Sequence, residues 1–97
     1  MAVTVYVEFP IHPEKFEEFA GLLRGALSDT RARQGFIDIS VHVDQDKPGR
    51  TVLWERWESR SDYEAYLQWR TETGFLDTVG PYLCGEPVFA FFDDVAS

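Results

Sequence analysis

Cysteine, histidine and basic residues are scarce in this 97-residue sequence. Its single cysteine, Cys84, excludes an internal disulfide and any multi-cysteine metal site. The two histidines, His12 and His42, lack the spacing of a zinc-ligand pair, so we expect no protein-bound metal. Seventeen acidic residues against nine Lys and Arg give a formal charge of −8. That charge disfavours nucleic acid and anionic membrane as partners.

Long apolar runs and a basic N-terminal leader are also missing. No apolar stretch approaches the length that spans a membrane, and a cytoplasmic location is the expectation. What the sequence does contain is apolar and aromatic surface, 44% and 15% of its residues. This composition predicts a folded chain. Without a linker, repeat or low-complexity tract, residues 1–97 are predicted to form a single domain.

Apolar periodicity predicts the order strand, helix, strand, strand, helix, strand. The predicted strands cover residues 3–9, 36–43, 51–57 and 88–92. The first helix is predicted to begin at Pro13 and stop at Gly35, and the second to cover residues 62–71 with a short helical piece after Gly74. With right-handed crossovers, this order closes into an α+β, ferredoxin-like βαββαβ fold: an antiparallel four-stranded sheet with both helices on one face.

Alternation along the strands predicts which residues face the helices. In the second strand, Ile37, Ile39, Val41 and Val43 share one face and are predicted to pack under the helices. In the third strand, Trp54 and Arg56 lie on one face and Glu55 and Trp57 on the other.

The helix that follows the third strand carries an S-x-x-E pattern at its start. Ser61 is the predicted N-cap, and Glu64 would complete a capping box.

The second face of such a sheet has no helix to cover it. Neighbouring residues point opposite ways, so one of Trp54 and Trp57 and part of the C-terminal phenylalanine group must lie on that face. An exposed aromatic patch of this kind marks an interface. The prediction is a homodimer in which two sheets pack together.

Residues 50–66, RTVLWERWESRSDYEAY, join a Trp-rich strand to a Tyr-rich helix. Together with VTVYVEF at the start and TRARQGF at the end of the first helix, they resemble the antibiotic biosynthesis monooxygenase family. The resemblance covers nearly the whole chain and implies a dimeric α+β barrel with a ligand cavity between sheet and helices. Many members of that family have a histidine where this chain has Tyr66.

The resemblance implies that Trp57 lines the cavity. Tyr63 and Tyr66, three residues apart on one helical face, have the rings and hydroxyls to orient a phenol or quinone. The predicted catalytic residues are therefore Trp57, Tyr63 and Tyr66. For substrate binding, the candidates are two arginines that would stabilise an anion and three residues that would form a lid or wall: Arg56, Arg70, Phe75, Leu76 and Tyr82.

The leading functional hypothesis is a monooxygenase that needs no cofactor and oxidises a phenolic or hydroquinone-like aromatic substrate to a quinone. The alternative is a non-catalytic dimeric barrel that binds a small apolar ligand, with the aromatic residues acting only as core. Haem degradation is disfavoured because the second helix contains no histidine to serve as an axial ligand.

Two polar residues of the strands carry structural and functional interpretations side by side. Glu55 is expected to form an ion pair with Arg56 or with an arginine of a partner, and a role as general base is the second interpretation. His42 is expected at the dimer face or the sheet edge, with catalysis as its second interpretation.

Overall fold

The computed structural model describes residues 2–96 and has the predicted element order. The strands form one antiparallel sheet in the order β2-β3-β1-β4. This arrangement confirms the ferredoxin-like prediction. The elements are β1 (Val3–Pro10), α1 (Phe16–Arg31), β2 (Phe36–Val43), β3 (Arg50–Trp57), α2 (Arg60–Glu72), α3 (Phe75–Val79) and β4 (Val88–Phe92), with 3-10 turns at Pro13–Lys15 and Gly80–Tyr82.

The core lies between the sheet and the helices. β1 is the central apolar strand, and its alternate residues are buried, with Val5 and Val7 almost completely enclosed. They pack with Phe19 of α1 and Trp57 of β3 in one cluster. Within residues 2–96, no helix is both long and apolar enough to cross a membrane.

At the start of β2, the prediction of which residues face the helices is wrong. Phe36 pairs with Trp57 and Asp38 pairs with Arg56, so Ile37 is an extra residue in a β-bulge. The ring of Phe36 therefore meets the Trp57 indole edge-on at 5.5 Å, whereas Ile37 is 47% exposed. Strict alternation placed Ile37 in the core because no feature of the sequence announces the bulge.

The start of α2 also differs from the prediction. Ser59 has extended backbone angles, and its side chain accepts a hydrogen bond from the Asp62 amide, so Ser59 is the N-cap and the helix begins at Arg60. Ser61 instead hydrogen-bonds the Ser59 hydroxyl, and Glu64 pairs with Arg60 at 3.3 Å. Two serines compete for the cap, and the earlier one is at the end of the strand where the chain is still extended.

The loop between β2 and β3 joins these antiparallel strands in a hairpin. The Asp44 carboxylate accepts hydrogen bonds from the amides of Asp46 and Lys47 and from the Arg50 guanidinium. Gly49 has φ of +83°, and a Cβ at this position would collide with the Ile11 carbonyl oxygen. Both features require glycine at the end of the loop.

The face of the sheet away from the helices carries an aromatic patch of three residues, Tyr6, Trp54 and Phe92. The Trp54 ring lies 4.9 Å from Tyr6 and 6.1 Å from Phe92, and Trp54 is 42% exposed in the single chain. Trp54 is therefore the tryptophan on the open face, and Trp57 lies in the core. Arg56 shares the open face with Trp54.

Candidate functional site

A small cavity lies between the sheet and the three helices. Its volume is about 40 Å³, and most of its walls are apolar. A space of this size holds roughly two to four water molecules, which is less than an aromatic ring requires. The polar exceptions in the wall come from β3, α1 and α2, and they are Glu55, Thr30, Tyr63, Tyr66 and Arg70.

Glu55 is a buried carboxylic acid in the wall of this cavity, with 4% of its surface exposed. Its cross-strand neighbours, Val5 and Ile39, are apolar. Burial raises the pKa of Glu55 to about 7, against the opposing effects of the Trp57 hydrogen bond and the Arg70 charge. The Trp57 indole donates to Oε1 at 3.0 Å, and this is the single hydrogen bond that the carboxylate receives from residues 2–96.

Arg70 is a buried cation in the wall of the same cavity, with 6% of its surface exposed. Its Nε donates to the Tyr66 hydroxyl at 3.0 Å, and Nη2 donates to the Ala26 carbonyl at 2.9 Å and to Thr30 Oγ1 at 3.0 Å. The guanidinium also lies over the Phe75 ring at 4.7 Å. Within residues 2–96, no carboxylate approaches it within 4.0 Å. Arg70 is therefore held by neutral groups, and its charge is not neutralised by an acid.

The two predicted tyrosines differ in what their hydroxyls do. The Tyr66 hydroxyl is already engaged, because it lies 2.9 Å from Thr30 Oγ1 and accepts from Arg70. Tyr63 is a buried residue that lines the cavity, and its hydroxyl makes no hydrogen bond to any of the residues that the structure describes but retains some solvent contact. Burial, with Glu55 and Tyr66 nearby, raises the pKa of Tyr63. Tyr63 is thus a neutral hydroxyl available to a bound molecule.

Trp57 does not line the cavity, contrary to the prediction. Its side chain is 0% exposed, and the rings of Tyr66 and Tyr63 cover it at centroid distances of 5.0 and 5.6 Å. A molecule in the cavity would meet the tyrosines before the indole. The indole instead fixes the Glu55 carboxylate and supports both tyrosine rings.

The other predicted substrate-binding residues are divided by the fold. Phe75 and Leu76, at the start of α3, line the cavity. Arg56 lies on the opposite face of the sheet, where it donates to Thr4 Oγ1 at 3.2 Å and to Asp94 at 3.1 Å. Tyr82 packs against Phe19 at 5.8 Å and is not part of the cavity wall.

The position of Arg56 also corrects the expected ion pair with Glu55. The two residues are consecutive on β3 and therefore point to opposite faces of the sheet. His42 is exposed and hydrogen-bonds Ser40 at 3.0 Å, away from the cavity.

Sequence reasoning missed Thr30 as a site residue. Thr30 lies in the apolar stripe of α1 and is buried, yet its hydroxyl contacts both Arg70 and Tyr66. A threonine inside an otherwise apolar helical stripe was the available signal. Among residues 2–96, no three His, Cys, Asp or Glu side chains come together as metal ligands.

Solved structures with the same fold include three whose coverage is nearly complete. The chain superimposes on Rv0793 from Mycobacterium tuberculosis with a TM-score of 0.85 and 22% identity, covering 100% of this chain and 98% of that one. For the monooxygenase ActVA-Orf6 of Streptomyces coelicolor, solved with nanaomycin D, the TM-score is 0.81 and the identity 21%, covering 99% of this chain and 89% of that one. For a mutant of SnoaB, a cofactor-independent oxygenase from Streptomyces nogalater, the TM-score is 0.79 and the identity 15%, covering 99% of this chain and 95% of that one. At these identities the likeness shows the fold.

The sequence comparisons add the family. No curated protein matches the chain in sequence. The sequence profile described as Antibiotic biosynthesis monooxygenase matches residues 2–78, which include the strand of Glu55 and Trp57 and the helix of Tyr63, Tyr66 and Arg70. The chain belongs to the antibiotic biosynthesis monooxygenase family.

Proposed function

We propose that this protein is a cofactor-independent monooxygenase that oxidises a phenolic or hydroquinone-like aromatic substrate to a quinone. The observation that carries the proposal is that Glu55 and Arg70 are both buried in the wall of one cavity without forming an ion pair with each other. Buried charges that are not paired are unfavourable in a plain core. The hydroxyl of a bound phenol could donate a hydrogen bond to Glu55, and the phenolate anion would be attracted to the positive charge of Arg70. Membership of the family supports the same reaction class.

The proposed reaction uses dioxygen as the oxidant and balances without a cofactor. A phenol with a free ring C–H loses its hydroxyl proton, and the phenolate passes one electron to dioxygen. The resulting radical and superoxide join through a new C–O bond to give a ring peroxide. The O–O bond then breaks as the ring C–H proton is removed, so one oxygen becomes the quinone carbonyl and the other leaves as water. The substrate loses four electrons, and dioxygen gains four.

The residues of the cavity have distinct proposed roles in this reaction. Arg70 and the Tyr63 hydroxyl would contact the substrate oxygen and stabilise its negative charge in a site that excludes water. Tyr66 would orient Arg70 through the 3.0 Å hydrogen bond between them. Trp57 would support the two tyrosines and Glu55 from behind.

Substrate entry requires the cavity to widen, because 40 Å³ does not accommodate an aromatic ring. The wall formed by Phe75 and Leu76 is the proposed moving part. Both residues are only half-buried, and they belong to a five-residue helix that follows Gly74, whose φ is +82°. A helix this short is held in place chiefly by its packing.

The small cavity is also what favours the second candidate, a non-catalytic barrel in which Glu55 and Arg70 are polar parts of a filled core. A ligand-binding or structural protein of this kind would consume no dioxygen with any phenol. Turnover therefore separates the two functions.

We also propose that two chains pair through the open faces of their sheets. Trp54 and Phe92 are 42% and 46% exposed in the single chain, and covering large aromatic residues of this kind stabilises an interface by roughly 1.5 to 3 kcal/mol each. A mass of about 22 kDa in solution, twice the 11.2 kDa of one chain, is the expected result. A monomer at micromolar concentration would contradict the pairing.

The test of the enzymatic proposal is turnover by chelator-treated protein. We expect 1,8-dihydroxyanthrone, or a 1-naphthol with a free para position, to be converted to its quinone with one dioxygen consumed per product. With ¹⁸O₂, one labelled oxygen should appear in the quinone. Folded protein that turns over no member of such a panel would contradict the proposal, and the Glu64→Gln variant, changed on an exposed part of α2, serves as the matched active control.

A further inference from the structure

We propose that Glu55 is the proton acceptor of this site and that it removes the hydroxyl proton of a phenol bound beside Arg70. This inference rests on the proposed function and adds to it the group that generates the phenolate. The proton moves to a Glu55 oxygen, and the electron pair of the broken O–H bond stays on the substrate oxygen. The proton later leaves with the water that forms from dioxygen.

The geometry of the carboxylate fits this role. Oε1 of Glu55 is fixed by the Trp57 indole at 3.0 Å, whereas Oε2 receives no hydrogen bond from residues 2–96. Both oxygens belong to a side chain in the cavity wall. Among the described residues, every fully buried side-chain N or O atom has a hydrogen-bond partner, so Oε2, which has none, retains some solvent contact. One oxygen is thus held in place, and the other is available to a hydroxyl in the cavity.

The remaining groups that face Glu55 are poorer acceptors. From α2 these groups are Tyr63, Tyr66 and Arg70, and α1 contributes the Thr30 hydroxyl. Tyr63 stays protonated because burial raises its pKa, and the Tyr66 oxygen is already occupied by Arg70 and Thr30. β1, β2 and β4 present only apolar side chains to the cavity. Glu55 is therefore the one carboxylate in the wall of this cavity as formed by residues 2–96.

The acidity of Glu55 suits the transfer. Burial raises its pKa to about 7, which makes it a stronger base than an exposed glutamate while leaving half of it ionised at neutral pH. Arg70 acts in the other direction on a ligand, because a fixed positive charge beside a phenol lowers the pKa of that phenol. The two effects bring the acid and the base closer in proton affinity.

The first test is the Glu55→Gln variant, which keeps an amide oxygen to accept the Trp57 hydrogen bond. With 1-naphthol, kcat/KM of the wild type should rise with pH to a plateau, with a midpoint near 7. In the variant, kcat/KM should be lower by at least roughly 100-fold, and its increase around pH 7 should disappear. The matched control is Glu58→Gln, at an exposed position three residues along the chain, which should keep the wild-type kcat/KM and its pH dependence. A Glu55→Gln variant with the wild-type rate and pH profile would overturn the inference and leave the proposed function intact.

The second test needs no turnover. Bound anaerobically at pH 7, 4-nitrophenol should give the absorbance of its phenolate in the wild type without releasing a proton to the solvent, because Glu55 takes that proton. In Glu55→Gln, a phenolate formed beside Arg70 should release its proton to the solvent, which a pH indicator in weak buffer measures. Difference infrared spectra of the wild type should show a carboxyl becoming protonated, which keeps the test valid if the variant does not fold. Transfer of the proton to Glu55 without oxidation of any substrate would support the proton acceptor and contradict the monooxygenase. If the protein neither binds nor turns over any phenol, both the proton acceptor and the monooxygenase are contradicted.

Discussion

The indole Nε1 of Trp57 donates a 3.0 Å hydrogen bond to Oε1 of Glu55, two residues earlier on the same face of β3. This bond unites the two most distinctive residues of the strand in a single buried unit. It leaves Trp57 without a surface for a ligand and presents Glu55 to the cavity in a fixed orientation. The tryptophan of this site is therefore a positioning residue for the glutamate.

Replacing Trp57 by phenylalanine should destabilise the fold and alter Glu55. We expect the free energy of unfolding at pH 8 to fall by roughly 2 to 4 kcal/mol, since a buried carboxylate loses its donor and the smaller ring leaves space behind the tyrosines. At pH 5, where Glu55 is protonated, the loss should be smaller. Urea denaturation at the two pH values measures this difference, and Trp54→Phe on the open face is the control. Equal losses at both pH values would contradict the role of the hydrogen bond.

Stability should fall as pH rises through 7. The pKa of Glu55 is about 7 in the folded chain against 4.5 for the ordinary side chain, so the folded state holds the proton more tightly. The stabilisation from this proton is complete below pH 4.5 and is lost as pH rises through 7, with a size of roughly 3 kcal/mol. Glu8 and Asp44, whose pKa values are lowered, contribute in the opposite sense and only near or below their ordinary values of 4.5 and 3.8.

The Glu55→Gln variant isolates this contribution. Its unfolding free energy should change little between pH 5 and 8, and at pH 8 it should exceed that of the wild type. Chemical denaturation across this pH range is the measurement. A wild-type slope that persists in the variant would place its origin in another group.

Replacing Arg70 by methionine should weaken phenolate binding more than it weakens the fold. A charge-assisted hydrogen bond to a phenolate contributes roughly 1.5 to 3 kcal/mol, so the Kd for 4-nitrophenolate should rise about 10- to 150-fold. Arg70→Lys should not restore affinity, because an ammonium cannot contact Tyr66, Ala26 and Thr30 at once. The control is Arg60→Met on the exposed side of α2. An unchanged Kd in Arg70→Met would remove Arg70 from the site.

Shortening Leu76 to alanine should change the preference of the cavity for ligand size. The wall would recede, and burial of a second ring contributes roughly 1.5 kcal/mol or more, so the affinity for 1-naphthol relative to phenol should rise about tenfold. Leu22→Ala provides the control, because Leu22 is equally half-buried but lies outside the cavity wall. Calorimetric Kd values for the two ligands test the ratio, and an unchanged ratio would mean that α3 does not limit the cavity.

A charge in the aromatic patch should separate the proposed dimer. Trp54→Glu places a carboxylate beside Tyr6 and Phe92, and burying it against a second sheet would be strongly unfavourable. We expect the mass measured by light scattering to halve. Ala65→Glu, on the exposed face of α2, should leave the mass unchanged. A Trp54→Glu variant that keeps the dimer mass would show that the chains pair elsewhere.

Local sequence patterns were sufficient for most of the fold because each element repeats one simple period. The alternation Val3, Val5, Val7 fixes the buried face of β1 without reference to any other part of the chain. The predictions were wrong where two local solutions competed. Ser59 and Ser61 both suit an N-cap, and Ile37 follows the alternation of β2 although a bulge removes it from the core.

The site was predictable only in part, for the same reason. Spacing along α2 was enough to place Tyr63 and Tyr66 on one face, and both residues line the cavity. The contact between Arg70 and Thr30 joins residues forty positions apart, so no local spacing predicts it. Local spacing also does not show that Arg56 lies on the face of the sheet opposite the cavity.

The sequence by itself determined the order of elements, the apolar side of β1, the family and the presence of aromatic residues on both faces of the sheet. Only the tertiary structure decided that Glu55 faces a cavity beside an arginine that no acid within residues 2–96 neutralises, and that Trp57 lies behind that cavity. The physical reason is that burial and the proximity of charges depend on which surfaces α1, α2 and β3 bring together. The pKa of an acid and the availability of a hydroxyl follow from that proximity and cannot be read from neighbours along the chain.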